Sequence, residues 1–372
     1  MKNDRDVLTA LADARPARLD PPGTPPLPFA LTAPAAPDRP ARRFRAAALI
    51  PAGALVAAAV AGVAVVAIDR DGPVPAPAPG ATGTSTTLSA SQILLAAAAS
   101  SAKDVPGAGR YLLFRTENGS VLTVRAGSAT FRMTARSSAD SWLSRSGQEP
   151  SRMFFQELGL TPLTPADDAA WRAAGSPAQV MVGKPLPTGQ LGHETAVDVA
   201  GQGRQSTTWD DRSVYAFGNT NVSVRDLEKL PTDPAALRTA LLKYFDGGGG
   251  DMPSDRDQWL LAVASSLFTG IPVSGPVRAA AFRLIATLPG VRSLGVVADQ
   301  RGRQGQGFAF TQGAAATGTI ERRFVIDLRT GRALGDETRV LRPAGTTARL
   351  APGSLLAYTV VLEQRITSDT PE

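Results

Sequence analysis

The distribution of apolar residues divides the chain into stretches of different kinds. From Ala46 to Ile68 it reads AAALIPAGALVAAAVAGVAVVAI, with no charged or strongly polar side chain. At about 1.5 Å per residue such a run, as a helix, crosses a hydrocarbon core of roughly 30 Å. Before it, Lys2–Ala14 places Val7, Leu8 and Leu11 on one helical face, and Pro21–Pro40 is a Pro-rich spacer with no foldable pattern. After it, Gly72–Thr87 is a linker of Pro–Ala and Ser/Thr type. The pattern predicts a tail over 1–45, a transmembrane helix over 46–68, a linker over 69–87 and a folded domain over 88–372.

The flanks give the apolar run a direction. Arg39, Arg42, Arg43 and Arg45 crowd its N-terminal side, while Asp69, Arg70 and Asp71 on the other side nearly cancel. The positive-inside rule then keeps the tail in the cytoplasm and exports the domain, a single-pass protein of the cell membrane. A cleaved signal peptide is the competing reading, but its apolar run is about 7–15 residues and its leader shorter. Gly53, Ala57 and Ala61 make a small-xxx-small face that could pair two such helices, although an Ala-rich run also produces this spacing by chance.

Within 88–372, Ser89 caps a helix to about Ala102 with Ile93, Leu94 and Ala97 on one side. Tyr111–Thr116, Val121–Ala126 and Ala129–Ala135 read as strands, with turns at Gly119-Ser120 and Gly127-Ser128. Thr164-Pro165-Ala166-Asp167 opens a short helix carrying Trp171. Three helices follow Leu230. Asp233-Pro234 opens the first, with Leu237, Leu241 and Phe245 inward. Ser254 and Asp257 cap the second, with Trp259, Leu260, Val263 and Leu267 buried. Pro276 opens the third and Leu288-Pro289-Gly290 closes it. Ser293–Ala298, Gly307–Thr311, Arg322–Leu328, Ala333–Leu341 and Leu355–Gln364 then alternate as strands. The expected fold is α+β: a curved antiparallel sheet with a helical insertion between its two groups of strands.

Charge changes the picture little once it is partitioned. The net +6 divides equally between residues 1–45, with eight basic and five acidic residues, and the rest of the chain. Neither part concentrates a basic stripe, so nucleic acid is not an expected partner. The chain has no cysteine and one histidine, which removes disulfides, a lipidated-cysteine anchor and most metal or acid–base constellations. No cofactor and no metal site are expected.

The most chemical-looking dipeptide is His193-Glu194, with Asp198 nearby, but a zincin helix needs a second histidine where Val197 stands. Both residues are expected in a polar turn between Gly192 and Gly201. Asp167-Asp168 suits the first turn of a helix, and Asp210-Asp211 the tip of a hairpin after Trp209. Gly302, Gly305 and Gly307 lie between strands and read as a hairpin rather than a phosphate loop, and Asp327 is expected to bond the Arg329-Thr330-Gly331 turn. Trp142, Trp171, Trp209 and Trp259 suit core positions or a lipid pocket. Nothing here assembles a catalytic residue set.

Three segments carry a family resemblance: LPTDPAALRTALL (Leu230–Leu242), Pro276–Val291 ending LIATLPGV, and FVIDLRTGRALG (Phe324–Gly335). With the overall layout, they resemble a family of actinobacterial single-pass membrane proteins linked to extracytoplasmic-function sigma factors, which implies an envelope-signalling setting. The domain also resembles, at fold level, the half-barrel of lipoprotein carriers and of the periplasmic regulator of the envelope-stress sigma factor. The tail departs from common anti-sigma domains: it lacks their His/Cys zinc motif and is too short for their helical bundle.

The expected function is that of a non-enzymatic, membrane-anchored envelope protein. Its exported domain binds a lipid or protein ligand and reports to a cytoplasmic regulatory partner through the anchor and tail. A lipid or lipoprotein carrier is the alternative, and an envelope hydrolase a third reading. Trp259, Val263, Leu267 and Phe268 on the second inserted helix, with Leu284 and Ile285 on the third, are the candidates to line an apolar ligand pocket between helices and sheet.

Overall fold

The computed structural model describes residues 88–104, 107–146, 149–185, 191–209, 215–249, 252–314 and 317–369. The expected tail, transmembrane helix and linker lie outside the described residues, as does Asp210-Asp211. Among the described residues no helix is long and apolar enough to cross a membrane.

A curved antiparallel sheet organises the domain. Its strands are β1 (Tyr111–Ala126), β2 (Ala129–Ser144), β3 (Ser151–Pro162), β4 (Gln179–Pro185), β5 (Leu191–Asp198), β6 (Gln205–Trp209), β9 (Arg292–Ala298), β10 (Gln304–Ala314), β11 (Gly318–Asp327), β12 (Arg332–Pro343) and β13 (Leu355–Thr367), with β7 (Tyr215–Phe217) and β8 (Thr220–Val222) forming a separate small hairpin. The order across the sheet is β6-β3-β2-β1-β13-β12-β11-β10-β9, and the β4–β5 hairpin joins at Val124 and Arg125 of β1. The first and last strands of the domain thus close its centre: β1 pairs with β13 from Tyr111↔Thr367 to Ser120↔Ala357. The two groups of strands expected from the sequence are therefore one sheet, and the helices between them are an insertion.

The helices are α1 (Ala90–Ser101), α2 (Pro165–Ala173), α3 (Val224–Glu228), α4 (Pro234–Leu242), α5 (Arg256–Thr269) and α6 (Gly275–Thr287). Their starts follow from capping chemistry. Ser89 and Gln92 form a reciprocal box at α1, and Thr164, Asp233 and Ser274 accept from the first-turn amides of α2, α4 and α6. At α5 the cap is Asp255, accepting from the amides of Asp257 and Gln258, not Ser254 as the sequence suggested. A carboxylate one residue nearer the helix reaches two orphan donors, which a serine hydroxyl at 254 cannot. Helix α5 is buried on every side because α4 and α6 flank it while β10, β12 and β13 lie beneath it.

Two expectations of turns give way to strand. Gly119-Ser120 is no turn: β1 runs unbroken for 16 residues, paired residue for residue with β2. Gly119 stands there because a Cβ would lie 2.1 Å from the Tyr358 ring on β13. His193-Glu194 likewise sits inside β5, with His193 at φ 46°, at a register shift of the β4–β5 hairpin between the pairs Val182↔Thr195 and Lys184↔Gly192. Gly127-Ser128 and Gly302 do make turns, and Asp327 accepts the amide of Arg329 at 2.9 Å as expected.

A buried arginine pins the helices to the sheet. Arg278 on α6 is 1% exposed; it donates to Ser101 Oγ at 2.7 Å, to the Gly331 carbonyl at 3.1 Å, to Gln364 at 3.3 Å and to Asp104 at 2.5 Å. Asp104 also accepts from Arg332 at 2.9 Å. Gly331 itself, at φ +64°, brings the β11–β12 turn against α1: a Cβ there would meet the Ser101 nitrogen at 2.4 Å and the Ala97 oxygen at 2.5 Å. Both obstacles are backbone and the φ disfavours a side chain. Gly331→Ala should therefore cost about 1–3 kcal/mol. A denaturant titration of residues 88–372 checks this, and a loss below about 0.5 kcal/mol, within the range of an ordinary surface change, would mean that α1 shifts freely.

Candidate functional site

Alternation along the central strands sorts their residues onto two faces. On β11, Ile320, Phe324 and Ile326 turn towards the helices, where Phe324 meets Phe268 at 5.0 Å and stacks on Phe308 at 5.2 Å. The sequence-derived candidates sit on this side. Trp259, Val263, Leu267, Phe268, Leu284 and Ile285 are all buried, none more than 3% exposed, and belong to one apolar cluster. Phe268 packs on Phe282 at 4.5 Å and Trp259 on Phe245 at 5.5 Å. The fold brings these six together at the helix–sheet interface, as their spacing implied.

The tryptophans, in contrast, are dispersed. Trp142 packs edge-on against Phe154, Trp171 joins a separate cluster around Met133 and Val180, and Trp259 is buried on α5 in the main apolar cluster. Trp209 ends β6. The acidic candidates serve structure. Asp167 accepts the amide of Arg132 and Asp168 pairs with Arg172 at 2.8 Å; Glu194 pairs with Arg125, and Asp198 accepts from Gln179. His193 is not joined to Asp198 or to any cluster of metal-ligating side chains among the described residues.

Sequence reasoning missed the other face. Turned away from α5 and α6 are Glu117 on β1, Tyr358 on β13, Glu337 and Arg339 on β12, and Glu321 and Arg323 on β11. The segments Glu321–Arg323 and Asp336–Arg339 are rich in charge, which ordinarily lies exposed. Yet Glu117, Glu321, Glu337 and Arg339 are only 3–6% exposed. The register makes a checkerboard, with Arg323 opposite Glu337 and Glu321 opposite Arg339. The turn between β9 and β10 reaches over it: Arg301 donates to Glu117 at 2.7 Å, Gln300 to Glu337 at 2.9 Å, and Arg303 to the carbonyls of Leu334 and Val361 at 2.7 and 3.0 Å. No sequence signal announces this contact, because it depends on a turn that folds back across neighbouring strands.

Burying a charge costs several kcal/mol unless partners replace water. Most members of the lattice have them. Glu117 lies between Arg301 and Arg136, each 2.7 Å away; burial alone would raise its carboxyl, but the two guanidinium groups outweigh it and hold the group below the usual range. Burial, then the charge of Glu117, raises the Tyr358 phenol. Glu321 is held by Arg292 and Arg323, and Asp299 by Arg303.

Two members are served differently. Glu337 accepts from the neutral amide of Gln300, and burial pushes its carboxyl up to about 7. Arg339 donates Nη1 to the Gly353 carbonyl, and burial lowers it to about 9. They are two residues apart on one strand face, yet Arg339 turns to the Gly353 carbonyl and Glu337 to Gln300 rather than to each other. Opposite charges thus stand side by side, each with a neutral hydrogen-bond partner, in a lattice where the rest are matched.

Glu337 should show in the pH dependence of stability. Its folded pKa lies above its unfolded one, so the folded state holds the extra proton between about pH 4.5 and 7. Its contribution is full below that window and is lost as pH rises through it, at no more than about 1.4 kcal/mol per pH unit. Glu337→Gln should remove this component. Unfolding curves of both proteins from pH 5 to 8 check it, and parallel profiles would refute the assignment.

No family model matches this chain, and neither a curated protein nor a solved structure is detectably similar to it.

Proposed function

We propose that this is a non-enzymatic, membrane-anchored envelope protein whose exported α+β domain binds a ligand on the sheet face turned away from α5 and α6. In this reading, binding is reported to a cytoplasmic partner through the anchor and tail. The observation that carries the binding reading is the Glu337–Arg339 pair. Burial of two charged groups whose hydrogen-bond partners are neutral is costly to the fold, and perturbed groups of this kind concentrate where a ligand completes the electrostatics. The apolar run Ala46–Ile68 and its arginine flank support the anchor and its orientation. The sigma-factor setting rests on the resemblance of the three segments named above.

The direct test is to purify the full-length protein from its native membrane and identify by mass spectrometry what is retained. A stoichiometric ligand lost on Arg339→Gln supports the reading; a protein that retains nothing, and binds nothing from a native envelope extract, opposes it. Topology has its own test. A reporter fused after Glu372 should be active outside the cytoplasmic membrane, and activity confined to the cytoplasm would overturn the orientation. The carrier alternative draws on the six apolar residues at the helix–sheet interface, which a lipid chain would have to part.

A further inference from the structure

Arg339 is fixed along one edge of its guanidinium and unpartnered along the other. Its Nη1 donates to the Gly353 carbonyl, which sets the plane of the group. Nε and Nη2 form the forked edge, two parallel donors spaced to meet two oxygens of one anion. Both nitrogens are buried, and neither meets an acceptor among the described residues. The residue is 3% exposed, so bulk water does not serve the edge freely. The two neighbouring carboxylates are engaged elsewhere: Glu321, directly across on β11, by Arg292 and Arg323, and Glu337 by Gln300. A buried arginine without an acceptor on its strongest edge is energetically unfavourable unless something brings one.

Building on the ligand-binding reading above, we propose that the Nε–Nη2 edge of Arg339 receives the carboxylate of a small apolar acid. A planar carboxylate matches one guanidinium edge with two parallel hydrogen bonds. The apolar part follows from the register. Arg339 stands across from Leu355 on β13, which begins an apolar cluster with Tyr358 and Val360 on the same face.

Glu337 makes this binding sensitive to protons. It is faced by Arg323 on β11, Tyr358 on β13 and Gln300 with Arg301 on the β9–β10 turn, and by Asp336 and Arg339 on its own strand. Its neutral form tolerates a second carboxylate at Arg339, whereas its ionised form repels it. Affinity for an acid should therefore fall as pH rises past neutrality.

The probe is cyclohexanecarboxylate, titrated into the full-length protein in zwitterionic nanodiscs, with its uncharged amide, inorganic phosphate and octanoate as comparison arms. The acid should bind with 1:1 stoichiometry, the amide and phosphate at least about tenfold more weakly, and Arg339→Gln should weaken the acid by about tenfold or more. Tighter binding of octanoate would point to a fatty acid as the source, and equal or weaker binding to a compact acid; either agrees with the site. Equal affinity in a folded Arg339→Gln protein, a preference for phosphate, or no binding of either acid would overturn it. Should Arg339→Gln fail to fold, Glu337→Gln decides: it should abolish the fall in affinity between pH 6 and 8, and an unchanged profile would refute the site. A native ligand retained equally by wild type and Arg339→Gln would sink this inference while leaving the binding reading intact.

Discussion

Replacing Arg278 by Ala is expected to destabilise residues 88–372 by about 3–5 kcal/mol. The change removes donors to Ser101, Gly331, Gln364 and Asp104 at once, and leaves Ser101 Oγ and the Gly331 carbonyl with only their mutual hydrogen bond at 3.0 Å. Asp104 is partly exposed and keeps Arg332, so its share of the loss is discounted for solvent. The greater part comes from the hydrogen bonds lost at the Gly331 carbonyl and the Ser101 hydroxyl and from the cavity left by a side chain 1% exposed. These groups lie on α1, its C-terminal extension, the β11–β12 turn and β13, so the variant should also loosen α1 selectively. Hydrogen exchange would show faster exchange in Ala90–Ser101 than in β1 or β13. A loss under about 1 kcal/mol, with α1 still protected, would mean that water replaces the guanidinium and that Arg278 does not pin the layer.

The second large effect separates a filled helix–sheet interface from a lipid pocket. Leu267 is fully buried on α5, in the cluster that includes Phe268, Phe282, Phe308 and Phe324. If those rings and their neighbours fill the interior, Leu267→Ala should cost about 2–5 kcal/mol, the transfer term plus the cavity left behind. A site that opens for an acyl chain has slack, so the same truncation would cost less and would weaken binding of an acyl-chain probe. Denaturant midpoints of the two proteins, alongside titration with a fluorescent fatty acid, decide between them. A full core-sized loss with no probe bound by the wild type ends the carrier alternative. A small loss with measurable, weakened probe binding would shift the functional reading towards it.

The charged residues that matter most to the proposed function are plain in the sequence, but their burial is not. In ERRF and DETR charges stand next to one another rather than alternating with apolar residues, and Arg322 and Asp336 fall on the Phe324 side of the sheet. Alternation along the strand separates Phe324, which faces the helices, from Arg323, which does not. What it cannot show is that Gln300, Arg301 and Arg303 cross neighbouring strands to reach Glu337, Glu117 and the carbonyls of Leu334 and Val361. The pairing of residue 301 with residue 117 has no local signature, so the burial that perturbs Glu337 and Arg339 has none either. The same holds for Gly119, read as a turn from its neighbours and explained only by the Tyr358 ring beyond it.

By itself the sequence determined what local physics controls. Capping residues set the starts of α1, α2, α4 and α6. The 3.6-residue apolar spacing put Leu237, Leu241, Leu267 and Ile285 inside, and the uncapped glycine turns ended strands at Gly127 and Gly331. These depend on backbone orphans, rotamers and side-chain periodicity within a few residues, which composition and order specify directly. The expected single sheet is present, but tertiary structure alone decided that β1 and β13 are the strands that join its two groups, that α5 is enclosed on all sides, and that the face away from the helices holds buried ions. Each of those outcomes turns on pairings between residues up to some 250 positions apart, as Arg115 with Glu363. Their free energy comes from desolvation and from closing the chain on itself, quantities that no short window of residues contains.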